Sequence, residues 1–495
     1  MRTQFVSRQA ARSLIAAACA LTCLGAQAAT INITSRDPAG LGFNDPTPVA
    51  PVGGNMGTTL GQQRMNVYKY VASIWEKNIQ SDVTITVNAG WEALSCTATQ
   101  ATLGSASAWN IWHDFPGGKP GTWYPQALAN KIAGTNLSAG QPDTTGYDNV
   151  DIKTQFNSNL GNAGCLDNTH FYLGLDGKAG NDINFVETLL HELGHGLGFA
   201  VVSVNTSNGY RINSAGTAYV ATGGLPSVWE QFMFDNTANK SWLNMTSAER
   251  KASAVNNLQL AWTGANAVAG ATMLSHIPIV QAASPAPGGN RNVDYATASF
   301  GPLPPSSGVL GALAVVAPQT GEAGPGCDPF NAANSAAVKG KVAIISRGAC
   351  NFALKVKNAQ NAGAVAVLLA NNTTGIQPPG GTDATVTIPA VGISQADGDA
   401  LRAAVTAAIP YGSRSKPGSV TVSLTVDPVR MAGADAKGRP LLYTPATLAP
   451  GSSVSHWDVS ASPNLLMEPN INPDLTTTLT PPYDLTLPVM KDIGW

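Results

Sequence analysis

The sequence predicts an α+β protein: a mixed sheet with a backing helix and a second buried helix, interrupted late in the chain by a strand-rich module. Three observations predict it. Short stretches such as Thr30–Thr34 and Val83–Val87 alternate apolar and polar residues with the two-residue period of a half-buried strand. Between them, Thr58–Gln80 repeats apolar residues at three- and four-residue steps, the period of a helix with one buried face. From about residue 277 to residue 428 the character of the chain changes, which marks a separate module.

The elements follow in order. Thr30–Thr34 is a strand, and a Gly/Pro-rich loop runs over Asp37–Gly57. The apolar stripe of the first helix is Leu60, Val67, Tyr68, Val71, Ile74 and Trp75, and it serves core packing. Val83–Val87 is the next strand, with others near Ala106–Trp109 and over Phe171–Leu175. A helix begins at about Ile183. Its flanks are apolar (Phe185, Val186, Leu189, Leu190, Leu193, Leu197), so it is buried. Residues 201–275 are polar and turn-rich, with a capping box at Thr246–Glu249 that starts a helix over Arg250–Asn256. Within the later module, Val338–Phe352 reads as strand then turn, Lys355–Gly363 as a short helix, and Ala364–Ala370 as a strand buried on both faces. The chain returns through Leu441–Pro445 and closes in a short helix over Leu485–Trp495.

At 495 residues, two domains are the natural expectation. Only 12% of residues are charged and the net charge is −2, which leaves no basic surface for nucleic acid and no polybasic membrane patch. Arg2, Arg8 and Arg12, the apolar run Leu14–Gly25 and the small-residue site Ala26-Gln27-Ala28 read as a secretory signal. That run is too short to span a bilayer, and no other stretch approaches the required length. The expectation is an exported protein, extracellular or periplasmic, with no transmembrane segment in its mature form. Six cysteines are present, and Cys19 and Cys23 fall in the signal. Cys96, Cys165, Cys327 and Cys350 remain; an even count in an exported chain suggests two disulfides, with three pairings open. None of these cysteines is spaced for a zinc site.

The chemistry concentrates in His191-Glu192-Leu-Gly-His195, with Gly198 three residues further on. Positions i and i+4 share one helix face, so two imidazoles there can grip one metal ion with Glu192 beside it. A buried helix carrying two histidines and a glutamate needs a partner for those polar groups, and a metal is the simplest one. Gly194, Gly196 and Gly198 each weaken a helix interior by roughly 1 kcal/mol. Gly198 fits a helix-terminating turn, where glycine tolerates positive φ. Zinc needs a third protein ligand, and His113, His170, His276 and His456 are the histidines that remain.

The motif resembles that of the metzincin zinc peptidases, whose extended form is HExxHxxGxxH/D. Here Val201 stands where the third ligand would be, so the compact pattern is broken. The leishmanolysin-like branch places a long insertion after the glycine, then a histidine, then a methionine turn. Ser455-His456-Trp457-Asp458, followed by Asn464-Leu-Leu-Met-Glu-Pro469, is similar to that return. The resemblance implies a metzincin-like catalytic domain with one catalytic zinc ion (Zn2+) held by His191, His195 and His456. It also implies Met467 beneath the metal and Glu192 as general base. In some metzincins a tyrosine two residues after the methionine holds the oxyanion; Pro469 occupies that place here, so no such role is assigned, and nothing ties Tyr483 to the metal.

The later module carries Gly340-Lys-Val342, Arg347-Gly-Ala-Cys350-Asn-Phe352, Lys355, Asn358-Ala359 and Ala362-Gly-Ala364. This pattern resembles the protease-associated (PA) domain. It implies a β-rich, non-catalytic insertion that either governs access to a neighbouring active site or only adds stability. The expected organisation is a signal peptide over 1–28, a first catalytic part over 29–276, a PA insertion over 277–428, and a return segment over 429–495 with the third ligand and the methionine turn. That division favours the pairs Cys96–Cys165 and Cys327–Cys350. The expected function is a secreted zinc-dependent endopeptidase acting on protein or peptide substrates. Two alternatives stay open: a gluzincin-type peptidase with Glu230 as third ligand, and a non-catalytic PA-containing binding or adhesion protein. Intact Glu192 argues against the second, because a structural site has no need of a base.

Overall fold

The computed structural model describes residues 27–140, 149–284, 290–411, 414–417 and 419–495. The expected secretory signal, apart from its last two residues, lies outside the described residues. The chain divides into two units: Met1–Ser275 joined by Gly433–Trp495, and His276–Ala432 between them in sequence. No helix among the described residues is long and apolar enough to cross a membrane.

The first unit is built on a four-stranded sheet. Its elements in chain order are β1 (Ile31–Ser35), α1 (Leu60–Asn78), β2 (Ile85–Glu92), β3 (Gly104–Ala108), α2 (Gln126–Ala133), β4 (Ile152–Asn157) and α3 (Phe185–Leu197). The strand order is β1-β2-β4-β3. β1, β2 and β4 run parallel, and β3 closes one edge antiparallel to β4. α1 starts where the Thr59 side chain accepts from the Gln62 amide, an N-cap. Its stripe residues Val67, Tyr68, Val71 and Trp75 are fully buried, and the Trp75 indole donates to the Leu190 carbonyl at 3.3 Å, which joins α1 to α3. Each leucine on the buried face of α3 contributes about 1.5–3 kcal/mol by leaving water. Phe156, Phe171, Phe185 and Trp91 form a cluster of edge-to-face and tilted ring pairs between α3 and the sheet.

Several elements depart from expectation. β2 starts at Ile85 and runs to Glu92, beyond Val83–Val87, because residues Val87–Trp91 are buried on both faces and the alternation stops. Phe171–Leu175 is strand only over Phe171–Tyr172, which pairs with Ile183–Asn184. The expected start of the buried helix is therefore strand, and the helix begins at Phe185. β4 and α2 were not anticipated. β4 alternates Ile152, Thr154 and Phe156 inward with Lys153 and Gln155 partly exposed, and the polar Thr154 masks the pattern. The Thr246–Glu249 capping box is present and starts α4 (Ser247–Ser253).

The second unit holds an eight-stranded sheet. Its strands are β5 (His276–Ala283), β6 (Arg291–Asp294), β7 (Ala296–Thr297), β8 (Val309–Val315), β9 (Val342–Ser346), β10 (Ala366–Ala370), β11 (Ala390–Ile393) and β12 (Thr421–Met431), in the order β6-β5-β12-β8-β9-β10-β11-β7. Alternate residues of the central strands feed separate apolar clusters on the two faces, so β9 and β10 read as continuous apolar runs. The unit extends to Ala432 rather than 428, because β12 continues to Met431 in register with His276. The last helix of the chain, α5 (Thr486–Ile493), belongs to the first unit. Cys96 is bonded to Cys165 and Cys327 to Cys350.

Candidate metal centre

The site grows from α3. The helix is capped at its start by Asn184, whose side chain accepts from the Val186 amide, and it ends at Gly198 with φ of 123°. His191 and His195 therefore lie on one face with their Nε2 atoms 3.0 Å apart. His456 arrives from the return segment and places its Nε2 3.0 Å from that of His195. These three are the one group of potential metal ligands of that size found among the described residues, with ligand atoms all within 4.8 Å of one another.

The other ring nitrogens decide the chemistry. Nδ1 of His191 donates to the Leu466 carbonyl at 2.7 Å, Nδ1 of His195 to the Phe199 carbonyl at 2.7 Å, and Nδ1 of His456 to the Ser452 carbonyl at 2.9 Å. A carbonyl only accepts, so each neutral ring carries its proton on Nδ1 and presents a bare lone pair at Nε2. Three lone pairs facing one another repel unless a cation shares them. Two imidazole nitrogens each about 2.0–2.1 Å from one tetrahedral zinc ion stand about 3.3 Å apart, within a few tenths of an ångström of the 3.0 Å found here, so the set fits zinc. Burial holds the rings neutral: it lowers the pKa of His191 to about 4 and of His456 to about 3, and that of His195 falls well below its usual value through burial and the two neighbouring rings.

Glu192 follows His191 on the helix and lines the same cleft. Burial pushes its carboxyl up to about 8, opposed by a hydrogen bond from the Ala106 amide of β3. A cation beside it would draw that value down again. The cleft has a volume of about 900 Å³. It is lined by β3, α3 and the segments around Ser452–His456 and Pro469–Ile471.

Met467 is fully buried beneath the helix, and a Cβ on Gly194 would come within 2.8 Å of its Sδ. Gly196 faces β4, where a Cβ would come within 2.4 Å of Ile152. These glycines are close-approach positions, which single-residue propensity does not reveal. Glu230, the alternative third ligand, is corrected by the structure. Its carboxylate accepts from Arg211 Nε at 2.9 Å, Ser203 Oγ at 2.8 Å and the Ser227 amide at 2.9 Å, and it stands outside the histidine cluster. His113 bonds Asp114 and the Ser214 carbonyl, His170 packs on Gly161, and His276 begins β5 of the second unit. Tyr483 is 55% exposed.

Sequence reasoning missed Asp484. It is buried, accepts from the Leu466 amide at 2.7 Å and the Thr486 amide at 2.6 Å, and so fixes the residue whose carbonyl orients His191. An aspartate just before a helix start is a capping signal, but nothing in the sequence links it to Leu466.

The PA domain family matches residues 309–401. Over 80 residues the chain is 45% identical to vacuolar-sorting receptor 5 of Arabidopsis thaliana, covering 16% of this chain and 12% of the receptor. Over 69 residues it is 46% identical to aminopeptidase YwaD of Bacillus subtilis (strain 168), covering 14% of this chain and 15% of that enzyme. The chain thus spans only a small part of these relatives. A solved zinc aminopeptidase from Bacillus subtilis aligns with 25% identity over 33% of this chain and 36% of that one, at a TM-score of 0.20. The chain therefore carries a PA domain, at residues 309–401, within an α+β protein.

Proposed function

We propose that the protein is an exported zinc-dependent endopeptidase of metzincin type, with a leishmanolysin-like third ligand. The observation that carries this reading is the convergence of three buried, Nε2-bare histidines beside Glu192 in an open cleft. His191, His195 and His456 would hold the ion. Zinc there supplies a Lewis acid that polarises a peptide carbonyl and lowers the pKa of water toward about 7. Glu192 accepts a proton from the attacking water and passes it to the departing amine. The Ala106 amide holds the carboxylate in place between these two transfers. Among the described residues β3 is an edge strand along the cleft, so its backbone groups other than the Ala106 amide can align an extended peptide. Among the described residues, Glu192 is the one carboxylate in the lining, and no lysine or arginine lines it. A free α-ammonium or α-carboxylate therefore finds no dedicated partner, which favours internal bonds over chain ends.

Unfolded protein substrate, with and without a chelator, separates a peptidase from a binding protein. Glu192→Gln in the zinc-loaded protein keeps the metal and lowers kcat by about 10²–10⁴-fold, since an amide cannot accept the proton. Near wild-type turnover by that variant would sink the reading.

A further inference from the structure

The cleft is large and almost without charge. At about 900 Å³ it has room for several residues of extended chain. Among the described residues, and apart from the three histidines, Glu192 is the only ionisable acid or base in the lining. The β3 wall is Gly104-Ser-Ala-Ser-Ala108, with no side chain long enough to reach across. The lining also includes Val201, Val202, Asn470 and Ile471. The acids on flanking segments, Glu187 and Glu468, are not part of the lining.

A charged substrate side chain entering such a cleft leaves water and, away from the histidine cluster and Glu192, meets no opposite charge among the described lining residues, which is unfavourable. Small polar and apolar side chains carry no such penalty, and the apolar ones gain from the aliphatic walls. We infer that the substrates are polypeptide segments with no charged residue for about two positions on either side of the cleaved bond. This rests on the peptidase reading above.

The test maps cleavage. Full-length, zinc-loaded protein is incubated with a mixture of denatured proteins, and the new termini are identified by mass spectrometry, with Glu192→Gln as the blank. Asp, Glu, Lys and Arg are expected at least roughly threefold below their background frequency at those positions. In matched peptides, one such residue next to the bond should lower kcat/KM by roughly tenfold. Ser107→Glu adds a carboxylate at an exposed point of the β3 wall and should raise cleavage near Lys and Arg several-fold relative to neutral sites. Charged residues at or above background frequency beside the bond, or an unchanged profile in Ser107→Glu, overturn the inference and leave the peptidase reading standing. No cleavage above the blank by zinc-loaded protein overturns both.

Discussion

His191 is oriented by a carbonyl 275 residues further along the chain, and the residue that carries this carbonyl is itself held by Asp484. The relay has a consequence for metal affinity. In Asp484→Asn one acceptor oxygen is lost, and the new NH2 faces an amide N–H. Leu466 loosens, and His191 loses its fixed tautomer. Zinc affinity is expected to fall about 10–100-fold, as for other groups that orient a ligand from behind. Competition with a chelator measures this. A purely structural role for Asp484 would lower the melting temperature of the metal-free protein and leave the affinity unchanged. His456→Ala removes a proposed direct ligand, so its loss of affinity should exceed that of Asp484→Asn, with activity abolished. His113→Ala, His170→Ala and His276→Ala should keep both metal and activity, because none of these rings points into the cluster. Full zinc occupancy in active His456→Ala protein would refute the ligand assignment.

At the scale of elements, α3 is shaped by how closely its neighbours approach. Replacing glycine by alanine inside a helix normally stabilises it by about 1 kcal/mol. At Gly196 the sign reverses, since the added methyl meets Ile152 at 2.4 Å in a buried contact, and overpacking of this kind costs about 1–3 kcal/mol. Gly196→Ala should therefore lower the thermal midpoint, and a rise would mean that α3 and β4 do not pack as described. The sequence made α3 legible through its apolar flanks and the spacing of His191 and His195, both local properties. It also made α1 legible through a stripe that turned out fully buried at Val67, Tyr68, Val71 and Trp75. β4 was illegible because its inward set includes Thr154, which hydrogen-bonds Tyr68 at 2.8 Å and is satisfied only by a partner far away in sequence. The acceptors for the three Nδ1 protons were illegible for a different reason, since two of them lie only four residues from their histidines. They are backbone carbonyls, which leave no trace in residue identity. Glu230 misled because a glutamate signals only that it needs a partner, and Arg211 supplies one.

For the whole molecule, the question is whether the second unit takes part in the reaction. Every proposed ligand, the proposed base and Asp484 lie in the first unit, and the second unit has its own apolar clusters on both sheet faces. Its first and last strands are neighbours: β5 pairs antiparallel with β12, and His276 stands opposite Met431. Residues opposed in this way have Cα atoms about 4.5–5.5 Å apart, so the unit leaves the chain close to where it entered. A linker of a few residues can therefore replace residues 276–432, and shortening the loop reduces its closure entropy. The deleted form should fold, hold zinc as tightly as the full chain, and hydrolyse short neutral peptides within a few-fold of its rate, while its preference among protein substrates changes. Zinc content, thermal denaturation and kcat/KM on one short peptide are the three readings. A deleted form that is folded and zinc-loaded yet cannot cleave any short peptide would make the PA-containing unit part of the catalytic machinery. Retained peptide hydrolysis with altered protein cleavage would instead make it a selector of substrates, acting on molecules too large to be recognised by the cleft alone.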